Sequence, residues 1–312
     1  MKLPDPTAVS SDIVAAIAAR HALDARTIVP LPQVGIINTV YLLGDDLVLR
    51  VPRAHPAHVA LMYREAVAAP AARAVGVRTP RLVVFDDSLT LLPVPYTIYE
   101  RVHGETLGLL DLEPATTPEA WRELGHDLAV LHAGVSADGP CGSLAVDEEV
   151  LDPRALAEAR ASEGWFTTLE ARWLVTWLDR LAPAMTAAVP HRFVHRDVQA
   201  TNVMVRTRDE PRYLALLDWG EARWGDPASD FGALPLRAVP YALEGHRAVA
   251  PLDGDETAEA RILWGHLTWA LYTLPRGATP GLSWAECPLA VLLETLRFCL
   301  DQPGGRWREV MP

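Results

Sequence analysis

The sequence predicts an α+β chain in two parts, a small antiparallel sheet followed by a larger helical region. Three observations predict it. Runs of β-branched and aliphatic residues over 34–43 and 47–51 are joined by Gly44, Asp45 and Asp46, a composition that suits a hairpin turn. A single Ala-rich run, 58–75, interrupts the strand-like texture of the first hundred residues. From Thr117 onward apolar residues recur at helical spacing, beginning with Trp121, Leu124, Leu128 and Leu131.

In chain order, a serine cap followed by Ile13, Val14 and Ile17 on one face predicts a short helix over 11–21. The two strands of the hairpin follow. The 58–75 run is read as a helix carrying Glu65 near its middle and closed by Gly76. Strands are expected over 81–85 and 96–102, with a Pro-rich turn between them. Thr117 can cap the next helix, with Pro118 at its first position. Further helices are expected over 153–161, 168–188, 257–273 and 284–300, and short strands over 203–206 and 213–217. The texture changes near 102–106, which divides the chain into an N-terminal part, 1–102, and a C-terminal part, 103–312.

Composition narrows the possible partners. The 312 residues, 50% hydrophobic and 22% charged, can bury a sizeable interior and are not the composition of a disordered chain. Lys and Arg number 28 against 40 Asp and Glu, a net charge of −12, so no nucleic-acid partner is expected. The three cysteines, Cys141, Cys287 and Cys299, are odd in number and form no C-x-x-C pair, which argues against a disulfide framework or a closed zinc site. Charge breaks the apolar runs well before the roughly 18 residues of a membrane span. The opening residues hold no apolar signal core. A soluble, cytoplasmic protein without a membrane partner is the expectation.

The strongest chemical signal is the segment 193–205, in which apolar residues flank His195, Asp197 and Asn202. A carboxylate and an amide five residues apart on one loop can enter one pocket. Asp197 could accept a hydroxyl proton, and the Asn202 oxygen could ligate a hard cation. Asp218 ends an apolar strand 16 residues after Asn202 and could complete a two-oxygen grip on Mg²⁺. Either block alone could equally be closing a turn, as Asp and Asn often do.

H-R-D-x-x-x-x-N, then a strand and D-W at Asp218, resembles the protein-kinase-like superfamily. The continuation from Leu217 to Asp230, with D-W-x-x-A and G-D-P-x-x-D, resembles the aminoglycoside and macrolide phosphotransferase family. No A-P-E follows, as it would in a protein kinase. The resemblance implies a two-lobed, protein-kinase-like fold. It also implies an enzyme that moves the γ-phosphoryl of ATP or GTP to a hydroxyl of a small molecule, with Mg²⁺ as cofactor. Residue by residue it implies Asp197 as the base and Asn202 and Asp218 as metal ligands. Arg50 stands where protein kinases place a phosphate-pairing Lys, with Glu65 as its ion-pair partner. Gly35 and Asn38 belong to the hairpin over the nucleotide, and backbone groups of Glu100 and Val102 to the hinge that meets the purine edge.

Other residues read more plainly. His195 is expected to brace its loop rather than move protons, and His103 to be a loop residue. Gln199 replaces a His common in such loops and could orient a phosphate. Asp226 and Asp230 are expected to tie the segment after Asp218 to a helix start. Trp264, Trp269 and Trp284 could line an acceptor cleft or pack in the core. The acidic group Asp253, Asp255, Glu256 and Glu259 could attract a cation or simply open a helix. The alternative to an enzyme is a nucleotide-binding pseudokinase with a regulatory role, for which the Arg50 substitution and the glycine-poor hairpin speak.

Overall fold

The computed structural model describes residues 7, 9–23, 27–31, 37–147, 151–208, 210–276 and 287–312. Its first part is a five-stranded antiparallel sheet in the order β1-β2-β3-β5-β4. These strands are β1 (Ile28–Pro30), β2 (Asn38–Leu43), β3 (Leu47–Pro52), β4 (Leu82–Asp86) and β5 (Tyr96–Glu100). Gly44 closes the β2–β3 hairpin at φ +61°, a conformation that costs glycine little. Helix α1 (Ser11–Arg20), capped by the Ser10 hydroxyl, lays Val14 and Ile17 on one face of the sheet against Leu49, Val51, Tyr96 and Ile98.

Strand periodicity then decides where the chemistry goes. Successive side chains point to opposite faces. With Leu49 and Val51 turned toward α1, Arg50 projects from the other face, toward helix α2 (Pro56–Ala74). On α2 the buried residues Met62, Glu65, Ala69 and Ala72 share a side, so Glu65 is carried inward with the apolar stripe. The helix ends where the sequence suggests, with Gly76 at φ +105°. The last sheet strand stops at Glu100, two residues earlier than expected.

The second part is helical: α3 (Pro118–Gly134), α4 (Pro153–Ser162), α5 (Thr168–Leu181), α6 (Val239–Val249), α7 (Ala258–Thr273), α8 (Pro288–Leu300) and α9 (Trp307–Val310). Two small sheets are set among them. One joins β6 (Glu105–Thr106), β8 (Val203–Arg206) and β9 (Arg212–Leu216), and the other pairs β7 (Arg192–Val194) with β10 (Arg223–Gly225). A large core runs through this part and takes in Ala68, Ala69 and Ala72 of α2.

Several expectations are corrected. The helix predicted over 168–188 ends at Leu181 and becomes a 3-10 turn through Ala182–Thr186, because Pro183 cannot continue the hydrogen-bond ladder. Thr117 precedes α3 without capping it; its hydroxyl turns back to the Pro114 carbonyl. Helix α6 has no counterpart in the sequence reading. Trp284 and the start of the helix predicted over 284–300 lie outside the described residues. Trp264 is a core residue, buried in α7.

Candidate active site

The loop between β7 and β8 is held by a dense set of hydrogen bonds. His195 is fully buried; its Nε2 lies 2.9 Å from the Leu217 carbonyl and its Nδ1 3.2 Å from the Asp197 amide. A carbonyl only accepts and an amide only donates, so the ring must be neutral with its proton on Nε2. Burial agrees, pushing His195 below its ordinary value. With both nitrogens committed, His195 braces the loop. Arg196 then turns through φ +71°, a left-handed conformation that costs a side-chain-bearing residue on the order of 1–3 kcal/mol.

That turn delivers Asp197. Its Oδ1 accepts from Gln199 Nε2 at 2.6 Å and its Oδ2 from Asn202 Nδ2 at 2.9 Å. Burial and the nearby Asp218 charge push the Asp197 carboxyl up to about 7, against the opposing pull of those two amides. The Asn202 amide nitrogen also reaches the Asp197 carbonyl at 2.8 Å. Both of its polar contacts therefore use nitrogen, and its Oδ1 accepts from no described residue.

The end of β9 meets this loop directly. Leu217 donates to the Asn202 carbonyl at 2.9 Å, and the next residue, Asp218, takes φ +64°. Trp219 packs edge-on against His195, ring centres 4.5 Å apart, and its indole N–H donates to Thr79 at 2.9 Å. From the sheet, the Arg50 guanidinium spans two carboxylates: Nη1 meets Glu65, and Nη2 donates to Asp218 Oδ2 at 3.0 Å. Burial pushes Glu65 above the usual carboxylate range although Arg50 opposes it. Burial also works against the charge on Arg50, but Glu65 and Asp218 outweigh it and hold the guanidinium above its ordinary range. One fork serves two acceptors, a geometry the point charge of a lysine would not reproduce.

The structure thus brings Arg50, Glu65, Asp197, Asn202 and Asp218 together at the junction of sheet and helices. Gly35 lies outside the described residues. Asn38 opens β2 with its side-chain oxygen buried and without a hydrogen-bond partner among the described residues. The Glu100 amide is spent on the Arg81 carbonyl, 2.9 Å away. Val102, just past the sheet, has no backbone hydrogen bond to any described residue.

Mg²⁺ takes few protein ligands and keeps phosphate oxygens and water. A half-exposed Asp218 carboxylate beside an Asn202 amide oxygen with no other partner fits that habit. Among the described residues no group of three or more His, Cys, Asp or Glu could hold a metal.

Gln199, two residues along, donates to Asp197 itself. Contacts between residues distant in the chain are not legible in the sequence. Asp230 is tied not to a helix start but to the loop between β7 and β8, accepting from the amides of His195 and Arg196 at 3.0 and 2.7 Å. Asp226 does cap its own turn, through the Ala228 amide at 2.8 Å. Much of the acidic group is already neutralised: Asp253 pairs with Arg192, Asp255 with Arg247 and Arg306, and Glu259 with Arg247. It offers little free charge to a cation.

The chain is similar to several known proteins. Viomycin phosphotransferase of Streptomyces vinaceus is 31% identical over 177 residues, 51% of this chain and 56% of that protein. The chain therefore spans little more than half the length of this curated relative. Among solved structures, the GDP complex of wild-type aminoglycoside 2'-phosphotransferase-IIIa is similar at TM-score 0.64 and 14% identity, over 92% of this chain and 98% of that one. A choline/ethanolamine kinase family protein from Mesorhizobium loti is similar at TM-score 0.60 and 18% identity, over 96% and 98%. Identities this low show the fold, which is the two-lobed α+β arrangement of protein-kinase-like enzymes. The model of the phosphotransferase enzyme family matches residues 27–264, most of the sequence and every described residue of the site; the chain belongs to that family.

Proposed function

We propose that this protein is a small-molecule kinase that transfers the γ-phosphoryl of ATP or GTP to a hydroxyl of an antibiotic-like or metabolite acceptor. The observation that carries the reading is the Arg50 fork spanning Glu65 and Asp218 beside the Asp197–Asn202 pair. The viomycin phosphotransferase likeness supports an antibiotic-like acceptor. Similar folds in GDP and ADP complexes support a nucleotide donor.

In this reading Asp197 orients the acceptor hydroxyl and takes its proton as the O–P bond forms. A carboxyl near 7 is well matched to that task, since a base poised near the working pH combines availability with driving force. Asn202 and Asp218 would hold Mg²⁺, which when bound supplies charge neutralisation for the phosphate oxygens. Arg50, kept in place by Glu65, would exchange its contact with Asp218 for one with the donor phosphates. Val102, just past the last sheet strand, offers free backbone groups to the base edge, and we place the division between lobes there. Phosphoryl transfer proceeds through a loose transition state, so positioning and charge are what the protein has to provide.

The test is a panel of hydroxylated antibiotics and metabolites, assayed for formation of ADP from ATP and of GDP from GTP in separate runs. Asp197→Asn should lower turnover by about 10²–10⁴ while leaving nucleotide affinity within a factor of about two. A protein that binds nucleotide tightly yet consumes none with any acceptor would instead be the regulatory, pseudokinase form.

A further inference from the structure

Behind the Asp197 loop lies a buried chain of titratable groups that the phosphotransfer reading does not use. Asp230 is fully buried, and His132 of α3 and His246 of α6 are nearly so. His132 Nε2 lies 2.9 Å from Asp230 Oδ2, and His132 Nδ1 lies 3.1 Å from His246 Nε2. His246 Nδ1 in turn lies 3.1 Å from the Ala250 carbonyl. Three hydrogen bonds in series need three protons. Two neutral imidazoles carry one each, so the chain from Asp230 to Ala250 must hold one more.

The neighbours decide where that proton sits. Asp230 already accepts from the amides of His195 and Arg196. Burial tends to raise its carboxyl, but the hydrogen bonds from His132 and the Arg196 amide outweigh that and hold it below the usual range. Asp230 is therefore ionised. Burial and the facing His132 push His246 down to about 4, so its ring is neutral, donating to Ala250 through Nδ1. The third proton then falls to His132, whose two nitrogens face two acceptors, Asp230 Oδ2 and His246 Nε2, with Asp230 as its counter-charge.

Other titratable groups around the pair are otherwise engaged. Arg247 on α6 is drawn into ion pairs with Asp255 and Glu259. His195 beyond Asp230 is neutral, and His266 on α7 bonds the Phe231 carbonyl. The Arg196 guanidinium is held by Asp147.

We propose that His132 and His246 are positioning residues: their shared extra proton pins the Asp230 carboxylate under the backbone of His195 and Arg196, and so holds the strained turn that aims Asp197. The placement of Asp197 as base rests on the proposed phosphotransfer; the proton inventory does not.

The test exploits a difference between two variants. In His246→Gln, the amide can still accept from His132 Nδ1 and donate to Ala250, whereas His246→Leu fills the space without either bond. Nitrogen-15 spectra of the full-length wild-type protein near pH 8 should show one imidazole with both nitrogens protonated. That signal should vanish in His132→Gln and survive in His246→Gln. A wild-type spectrum of wholly neutral rings would overturn the proposal, whether or not the protein transfers phosphate. In His246→Leu the doubly protonated signal should be lost and kcat should fall about ten-fold, with nucleotide affinity within a factor of about two. His246→Leu matching His246→Gln in both signal and kcat would also overturn it. Should the leucine variant not fold, the wild-type and glutamine spectra decide.

Discussion

Asp197 stands between two requirements. A base for a hydroxyl proton has to be ionised at the working pH, yet its site is partly withdrawn from water and shares space with Asp218. In an unfolded chain an aspartate titrates near 3.9, whereas here burial and Asp218 push it up to about 7. Between those values the folded protein holds a proton that the unfolded chain has released, so stability attributable to this residue falls as pH rises through that window. Asp197→Asn should therefore raise the thermal midpoint above about pH 7, by roughly 2–4 °C per kcal/mol recovered, and lose that advantage near pH 4. A scan showing equal gain at both pH values would sever the link to ionisation. The same titration predicts that turnover of the wild type rises with pH to a plateau above about 7. At this scale Asp197, Asn202 and Asp218 were legible because their spacing along the chain is itself the signal. His132 was not, since its partner Asp230 lies 98 residues away and only the fold makes the contact.

Helix α6 shows why one element escaped the sequence. Its stretch carries Pro240 near the start and Gly245 within, both of which read as breaks in a helical pattern. The structure puts Pro240 in the first turn, where its missing N–H is harmless. It uses Gly245 for contact: α3 and α6 cross so closely that a Cβ on Gly245 would overlap the backbone of Arg122. Gly125 on α3 does the same against Ala242. That crossing also brings His132 to His246. Periodicity identified α3 because its partners lie on one apolar stripe, but close backbone approach leaves no apolar side chain to count. Gly245→Ala should destabilise the fold by roughly 1–3 kcal/mol, because backbone on the other side cannot yield as a flexible side chain would. The shift in urea midpoint at unchanged slope would measure it. An unchanged midpoint would mean the helices separate freely.

Over the whole molecule, sheet and helical region are coupled through a few polar contacts around a shared helix. Helix α2 gives Glu65 to the sheet-side pair with Arg50 and gives Ala68, Ala69 and Ala72 to the large core. Arg50 reaches across to Asp218, Arg64 donates to the Gly220 carbonyl at 2.9 Å, and Trp219 bonds Thr79. These contacts all involve Asp218 to Gly220, so the segment that would carry the metal also helps fasten the two parts, beside Arg78, which bonds Asp127 and Glu123 of α3. Binding of Mg²⁺-nucleotide there should stabilise the entire fold, by about 2.7 kcal/mol at a ligand concentration a hundred times Kd. Chelation of the metal should remove most of that gain. Arg50→Lys offers the sharper contrast, since an ammonium reaches one of the two carboxylates but cannot fork between them. The nucleotide-induced shift in thermal midpoint should shrink well below that of the wild type, while the ligand-free midpoint changes less. If lysine preserved the full shift, the two-acceptor geometry of Arg50 would have no bearing on nucleotide binding, and its contact with Asp218 would be a feature of the resting fold alone.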